Sequence, residues 1–163
     1  MNADDPVYVS YRYLDASAAV KLVARELASD VVREYFEAGG PFYITYPCVV
    51  EVLSVLKAKH FYRGELTQEQ YSHATYGFLA HLRGRLNIRG PALENGAVFW
   101  DAEELARRHN LDIIDALQLF TVKFSGGVGP SSPLLITADK NLAKAARAEQ
   151  LNTWDCVHEK PPA

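Results

Sequence analysis

Short apolar, β-branched and aromatic runs alternate along this chain with stretches of helical periodicity. Val7 to Asp15 (VYVSYRYLD) reads as a strand, and a helix follows from about Ser17 with Ala18, Ala19, Leu22 and Val23 on its apolar face. The run SDVVREYFEAG predicts a second helix, capped by Ser29 or Asp30 and stopped by Gly39-Gly40. FYITY, Phe42 to Tyr46, is the next strand, and Pro47 suits the first turn of a helix running through CVVEVLSVL. Thr67-Gln68-Glu69-Gln70 resembles a capping box and opens a helix to about Arg83. A short strand is expected around Leu86 to Ile88, then helices over roughly Leu93 to Asn110 and Asp112 to Phe124. SGGVGPSSP is a loop by composition, LLITA (Leu134 to Ala138) a buried strand, DKNLAKAARAEQ a helix, and Asn152 to Cys156 a last strand. Strands alternating with helices predict an α/β fold, with a parallel sheet of four or five strands covered on both faces.

Composition narrows the class. A chain of 163 residues that is 48% hydrophobic favours one domain spanning 1–163, with no repeat or linker. A net charge of −3 announces no nucleic-acid binder, and it excludes none whose basic residues are local. No window approaches the ~18 uninterrupted apolar residues of a membrane span. The acidic start MNADDPVYVS lacks the features of a secretory signal, so a soluble cytoplasmic protein is expected. Cys48 and Cys156 are too few for a disulfide framework or zinc site and are expected as buried thiols.

The anomaly in the pattern is acid among apolar neighbours. Glu51 sits inside CVVEVLSVL and Asp115 inside LDIIDALQLF, with no base in either run. An ionised carboxylate buried without a partner costs several kcal/mol, so a cation from elsewhere in the fold or a metal must meet it. In a sheet of this kind, ligands bind beyond the carboxyl ends of the strands, where strand order reverses. Asp15 ends the first strand, Asp139 follows LLITA, and Glu51 and Asp115 lie in the opening turns of helices that start from the same edge. Four segments thus bring acids to one rim. Oxygen donors without a His or Cys set select hard ions, Mg2+ or Mn2+, which points to metal-assisted phosphodiester hydrolysis. Asp112 reads as a helix cap outside this set, and the five histidines show no ligand spacing.

In this order the motifs resemble those of the PIN-domain superfamily, and within it the VapC-type toxin ribonucleases of toxin–antitoxin pairs. YLDASAAVKL resembles the first motif (Asp15, Ser17), VVEVLSVL the second (Glu51), IDALQL the third (Asp115), and LLITADKNLAKAA the fourth (Thr137, Asp139, Asn141). The match runs from about Tyr13 to Trp154. The resemblance implies a three-layer α/β/α sandwich and a Mg2+- or Mn2+-dependent endoribonuclease, commonly a homodimer, inhibited by a small antitoxin protein that enters the active-site groove. The chain departs from it in a longer loop at 125–133 and in lacking a glycine before the last strand. On this reading Asp15, Glu51, Asp115 and Asp139 are catalytic and hold the metal. Ser17, Thr137 and Asn141 orient ligands or water around them, although hydroxyls at strand ends are also ordinary structure.

An RNA substrate needs cations for its phosphates. Lys21, Arg25, Lys140 and Lys144 lie near the acid motifs and are the candidates for substrate contact. KAKHFYRG and RGRLNIR carry further bases that solvated helix ends and loops explain equally well. The surface from Val52 to Tyr76 is a candidate dimer interface, with core packing as the alternative. The rival from another class is a non-catalytic PIN-like module that binds RNA or protein. A phosphoryl-accepting aspartate ranks lower, because Ala16-Ser17 rather than a second acid follows Asp15.

Overall fold

The computed structural model describes residues 11–91, 93–125 and 133–162. Five strands, β1 (Arg12–Leu14), β2 (Phe42–Thr45), β3 (Leu86–Arg89), β4 (Leu134–Thr137) and β5 (Asn152–Asp155), form one sheet in the order β3-β2-β1-β4-β5. Every neighbouring pair is parallel, with Arg12 opposite both Phe42 and Leu134. The helices are α1 (Ala16–Val23), α2 (Ser29–Glu37), α3 (Tyr46–Phe61), α4 (Gln68–Gly84), α5 (Ala97–His109), α6 (Ile113–Ser125) and α7 (Lys140–Ala148).

The two-residue period of the strands sorts side chains onto two faces. Leu14, Phe42, Ile44, Leu134, Ile136 and Trp154 join Val20, Phe36, Val52, Leu56 and Phe78 in one core under α1 to α4. Tyr13 and Leu135 point the other way, into a second core with Ala102, Leu105, Leu119, Val122 and Leu142 from α5, α6 and α7. The result is the three-layer α/β/α arrangement. Each fully buried large side chain contributes about 1.5–3 kcal/mol, and the set includes Trp154, Phe36 and Phe42.

Local signals set most boundaries. Thr45 caps α3 and Pro47 occupies its first turn. Thr67 and Gln70 close a reciprocal capping box on α4. Gly39 (φ 94°) and Gly40 (φ 118°) follow α2, and a side chain at Gly40 would run into Arg12, whose guanidinium donates to the Gly39 carbonyl. Two expectations need correction. The cap position of α2 is Ala28, in the left-handed region, with no side-chain cap. Ser29 lies inside the helix, where its hydroxyl donates to the Ala24 carbonyl and accepts from the Glu26 amide. Of the expected strand VYVSYRYLD, β1 holds Arg12–Leu14, and residues 7–10 lie outside those described. α5 opens at Ala97 rather than Leu93. The loop expected at 125–133 falls mostly on residues 126–132, also outside those described.

Strand order places the site. From β1 the chain builds outward to β2 and β3, then crosses back to lay β4 on the other side of β1. The reversal opens a crevice beyond the carboxyl ends of β1 and β4, between Leu14 and Thr137.

Candidate active site

Asp15 is the first residue past β1 and is 3% exposed. Its amide donates to the Ile136 carbonyl at 3.0 Å, which ties the crevice to β4. Its Oδ2 accepts from the Ser17 hydroxyl, from the Thr137 hydroxyl at 2.8 Å and from the Ser17 amide at 3.3 Å. Asp15 is therefore both the cap of α1 and a clamped carboxylate. Oδ1 lies 4.0 Å from the Cys48 thiol. Burial raises the pKa of Asp15, and the hydrogen bonds from Ser17 and Thr137 oppose that rise.

Ser17 and Thr137 extend this clamp along the β4 terminus. The Ser17 hydroxyl accepts from the Ala138 amide, and the Thr137 hydroxyl accepts from the Asp139 amide, both at 2.9 Å. Asp139 caps α7, its Oδ1 accepting from the amides of Asn141 (2.6 Å) and Leu142 (3.0 Å). Asn141 thus meets the site through its backbone, and its exposed residue lines a separate cleft.

Glu51 rides on α3. One of its ligand oxygens, one Asp15 oxygen and the Cys48 sulfur all lie within 4.8 Å of one another. The Glu51 Oε2 atom is buried and has no hydrogen-bond partner. Burial first, then the charges of Asp15, Asp112 and Asp139, push the Glu51 pKa to about 7. Asp115, in the first turn of α6, is raised to about 8 by burial and by Asp15, Asp112, Asp139 and Glu51. Asp15 and Glu51 thus form a tight pair, with Asp115 and Asp139 near enough to act on them through charge. Asp112 caps the helix, its Oδ1 accepting from the Asp115 amide at 2.9 Å. No salt bridge reaches Asp15, Glu51, Asp115 or Asp139 from Lys, Arg or His among the described residues.

The donor set fits a hard divalent ion. Close carboxylates without a counter-cation raise one another's pKa, and a buried carboxylate oxygen with no donor is an acceptor awaiting a positive partner. Cys48 belongs to this cluster spatially, yet burial and the charges of Asp15 and Glu51 hold its thiol well above the usual range. It acts as a neutral donor, reaching Gln118 Oε1 at 3.3 Å. Gln118 is fully buried, and its Nε2 lacks a partner. Sequence reading assigned neither residue to the site, although Cys48 stands three before Glu51 and Gln118 three after Asp115, each on the same helical face as its acid.

The four candidate substrate cations separate. Lys21 is 4% exposed and bound to Glu26 at 3.2 Å, so it is a structural ion-pair partner and cannot meet substrate as expected. Arg25 is exposed but lies past the far end of α1 from Asp15, lining a hollow with Glu69 and His73. Lys140 is exposed beside Asp139 at the start of α7. Lys144 lines a cleft of about 290 Å³ with Arg108, His109 and Asn141.

Comparison with known proteins agrees with this frame. No curated protein sequence matches the chain. Among solved structures, the protein PAE2754 from Pyrobaculum aerophilum is similar with a TM-score of 0.58 at 17% identity, covering 84% of this chain and 85% of that one. FitAcB from Neisseria gonorrhoeae is similar with a TM-score of 0.59 at 14% identity, covering 91% and 99%. At such identities the likeness speaks for the fold alone. Residues 12–148 match the PIN domain family model, a span that holds all four acids: the chain belongs to the PIN domain family.

Proposed function

We propose that this protein is a metal-dependent endoribonuclease of the VapC type, the toxin of a toxin–antitoxin pair. PIN domains are generally metal-dependent nucleases. The observation that carries the reading is the uncompensated acid cluster, in which Glu51 Oε2 is buried with no partner and, among the described residues, no cation reaches the four carboxylates. Asp15 and Glu51 would hold Mg2+ or Mn2+, with Asp115 and Asp139 completing the ligand set directly or through water. The bound ion supplies the positive charge that polarises a phosphate oxygen and acidifies an attacking water.

The chain's own residues prepare for that chemistry. Ser17 and Thr137 fix Asp15 by holding Oδ2, which leaves Oδ1 facing the cluster. The raised pKa values of Glu51 and Asp115 give each a proton to hold or release near neutral pH. Lys140, beside Asp139 at the start of α7, serves as a phosphate contact, and Lys144 in the neighbouring cleft meets a phosphate further along the strand. Antitoxin binding and dimerisation rest on the motif resemblance. Val52 and Leu56 are core, so a second copy would meet the exposed Phe61, Tyr62 and Tyr76 instead.

The test is cleavage of cellular RNA, mapped by sequencing RNA ends after brief expression of wild type and of Asp15→Asn. New ends in the wild type alone, abolished in the purified protein by chelator and restored by Mn2+, are expected. No cleavage and no metal uptake by the wild type would sink the reading in favour of a binding module.

A further inference from the structure

A second feature lies beside the acid rim, on the sheet face that carries Tyr13. β3 exposes Asn87, Ile88 and Arg89. A cavity of about 520 Å³ opens there, walled by Tyr13, Tyr46, Ile88, Arg89, Phe120 and Phe124. That is the size of a ligand pocket. Among the described residues its lining contains no carboxylate. Tyr46 is 57% exposed and Phe124 67% exposed, an unusual outlay of aromatic surface around one hollow.

Arg89 gives the hollow its chemistry. Its guanidinium lies 4.7 Å from the Tyr43 ring centroid and 5.0 Å from that of Tyr11. Tyr43 in turn packs against Tyr11 and Tyr13, with centroids 5.3 and 5.5 Å apart. The rings hold the arginine on the open face, and among the described residues it has no acidic partner. Other arginines of the chain do, for example Arg85 with Glu37 and Arg147 with Glu159. A cation left unpaired among flat aromatic faces matches a ligand that is anionic at one end and a planar π-system at the other.

The position relative to the acids identifies that ligand. Along the helix axes Tyr46 lies about 7.5 Å from Glu51 on α3, and on α6 Phe120 lies about 7.5 Å and Phe124 about 13.5 Å from Asp115. A strand whose scissile phosphate lies at the acids would lay a neighbouring nucleotide in the hollow. We infer that the cavity between Tyr46, Arg89 and Phe124 is a subsite for an unpaired RNA base next to the cleaved bond, the base stacking on the aromatic wall and its phosphate meeting Arg89. The choice of RNA rests on the proposed nuclease reading.

The experiment measures binding without cleavage. Full-length protein carrying Asp15→Asn is titrated with a short fluorescein-labelled single-stranded oligoribonucleotide, with the same oligomer bearing an abasic site, and with the matching duplex. Tyr46→Ala, and independently Phe124→Ala, should weaken single-strand binding roughly 5- to 150-fold, the range for loss of one base–aromatic stack. The abasic oligomer should bind the parent protein weakly and lose nothing further in Tyr46→Ala. Arg89→Gln should instead flatten the salt dependence of binding by about 0.7 in log–log slope, and Arg89→Lys should restore it. Equal affinity for single strand and duplex, or unchanged affinity in all the variants, would overturn the subsite and leave the hollow to a protein partner. If the wild type cleaves RNA but Tyr46→Ala binds and cleaves like it, the subsite falls and the nuclease stands. If the wild type cleaves nothing but Asp15→Asn binds RNA through Tyr46, the nuclease falls and the subsite stands.

Discussion

Two regions of this chain concentrate buried charge, and they do so under opposite conditions. Below the far ends of α1 and α3, Glu26 lies between Lys21 at 3.2 Å and Lys59 at 2.7 Å, and Lys59 also meets Glu65 at 2.6 Å. Burial pushes Glu26 up, but hydrogen bonds from Lys59 and the charge of Lys21 outweigh it and the pKa falls. Glu149, gripped by Lys123, His109 and Arg108, follows the same logic and drops to about 2. At the acid rim the same burial meets only like charge, and Glu51 and Asp115 rise to about 7 and 8. Paired acids hold helices together. Unpaired acids hold a place for something the chain does not itself supply.

That contrast predicts opposite signs for neutralising substitutions. The largest effect is expected from Asp15→Asn, which should cut RNA cleavage by roughly 10³-fold, several kcal/mol of lost metal-assisted stabilisation, while circular dichroism shows an intact fold. Full activity in that variant would erase the distinction between the regions. Glu26→Gln should do the reverse, costing about 3 kcal/mol in urea unfolding because Lys21 and Lys59 lose their shared partner, with cleavage per folded molecule unchanged. Stability equal to wild type would mean the lysines find water instead.

Proton competition supplies the next effect. Glu51 and Asp115 bind protons more tightly folded than unfolded, so both must lose them before taking a cation. Apparent Mn2+ affinity by calorimetry should fall at least roughly tenfold from about pH 8.5 to about pH 6.5. A flat profile would place the ion on other ligands. Because these pKa values are raised in the folded state, metal-free stability should decline as pH rises through about 7 and 8, and saturating Mg2+ should remove the decline. The smallest effect belongs to Glu51→Gln in chelator above pH 8, a gain of roughly 1 kcal/mol once solvent screening is discounted, or a few degrees in Tm. A loss of similar size would show that Glu51 already has a partner within the fold.

Much of this arrangement was legible because its causes are local. Alternating strand and helix patterns gave the five strands, and Pro47, the Thr67 capping box and Gly39-Gly40 marked real boundaries. The acids stood out in sequence because apolar neighbours on both sides of Glu51 and Asp115 leave a helix no way to keep them wet. Other features depend on residues far apart in the chain. Lys21 looked like a free base beside a motif, but α1 turns it inward to Glu26, which no spacing announces. Ser29 looked like a cap, but a left-handed Ala28 ends the loop and the hydroxyl is used on Ala24. Cys48 and Gln118 reach each other only when α3 and α6 pack together. The hollow at Arg89 needs the register of β1, β2 and β3 at once.

Asp15 leaves a last consequence. Two hydroxyls from opposite sides of the crevice hold the same carboxylate oxygen, and the other faces the Cys48 thiol at 4.0 Å. Such a side chain offers one prong instead of two, the manner of engagement that a small, strictly six-coordinate ion tolerates and that calcium, with its appetite for bidentate carboxylates, exploits least. Ion discrimination at this site would then be written by a serine and a threonine that never touch the ion, and Ser17→Ala should relax the preference toward larger cations.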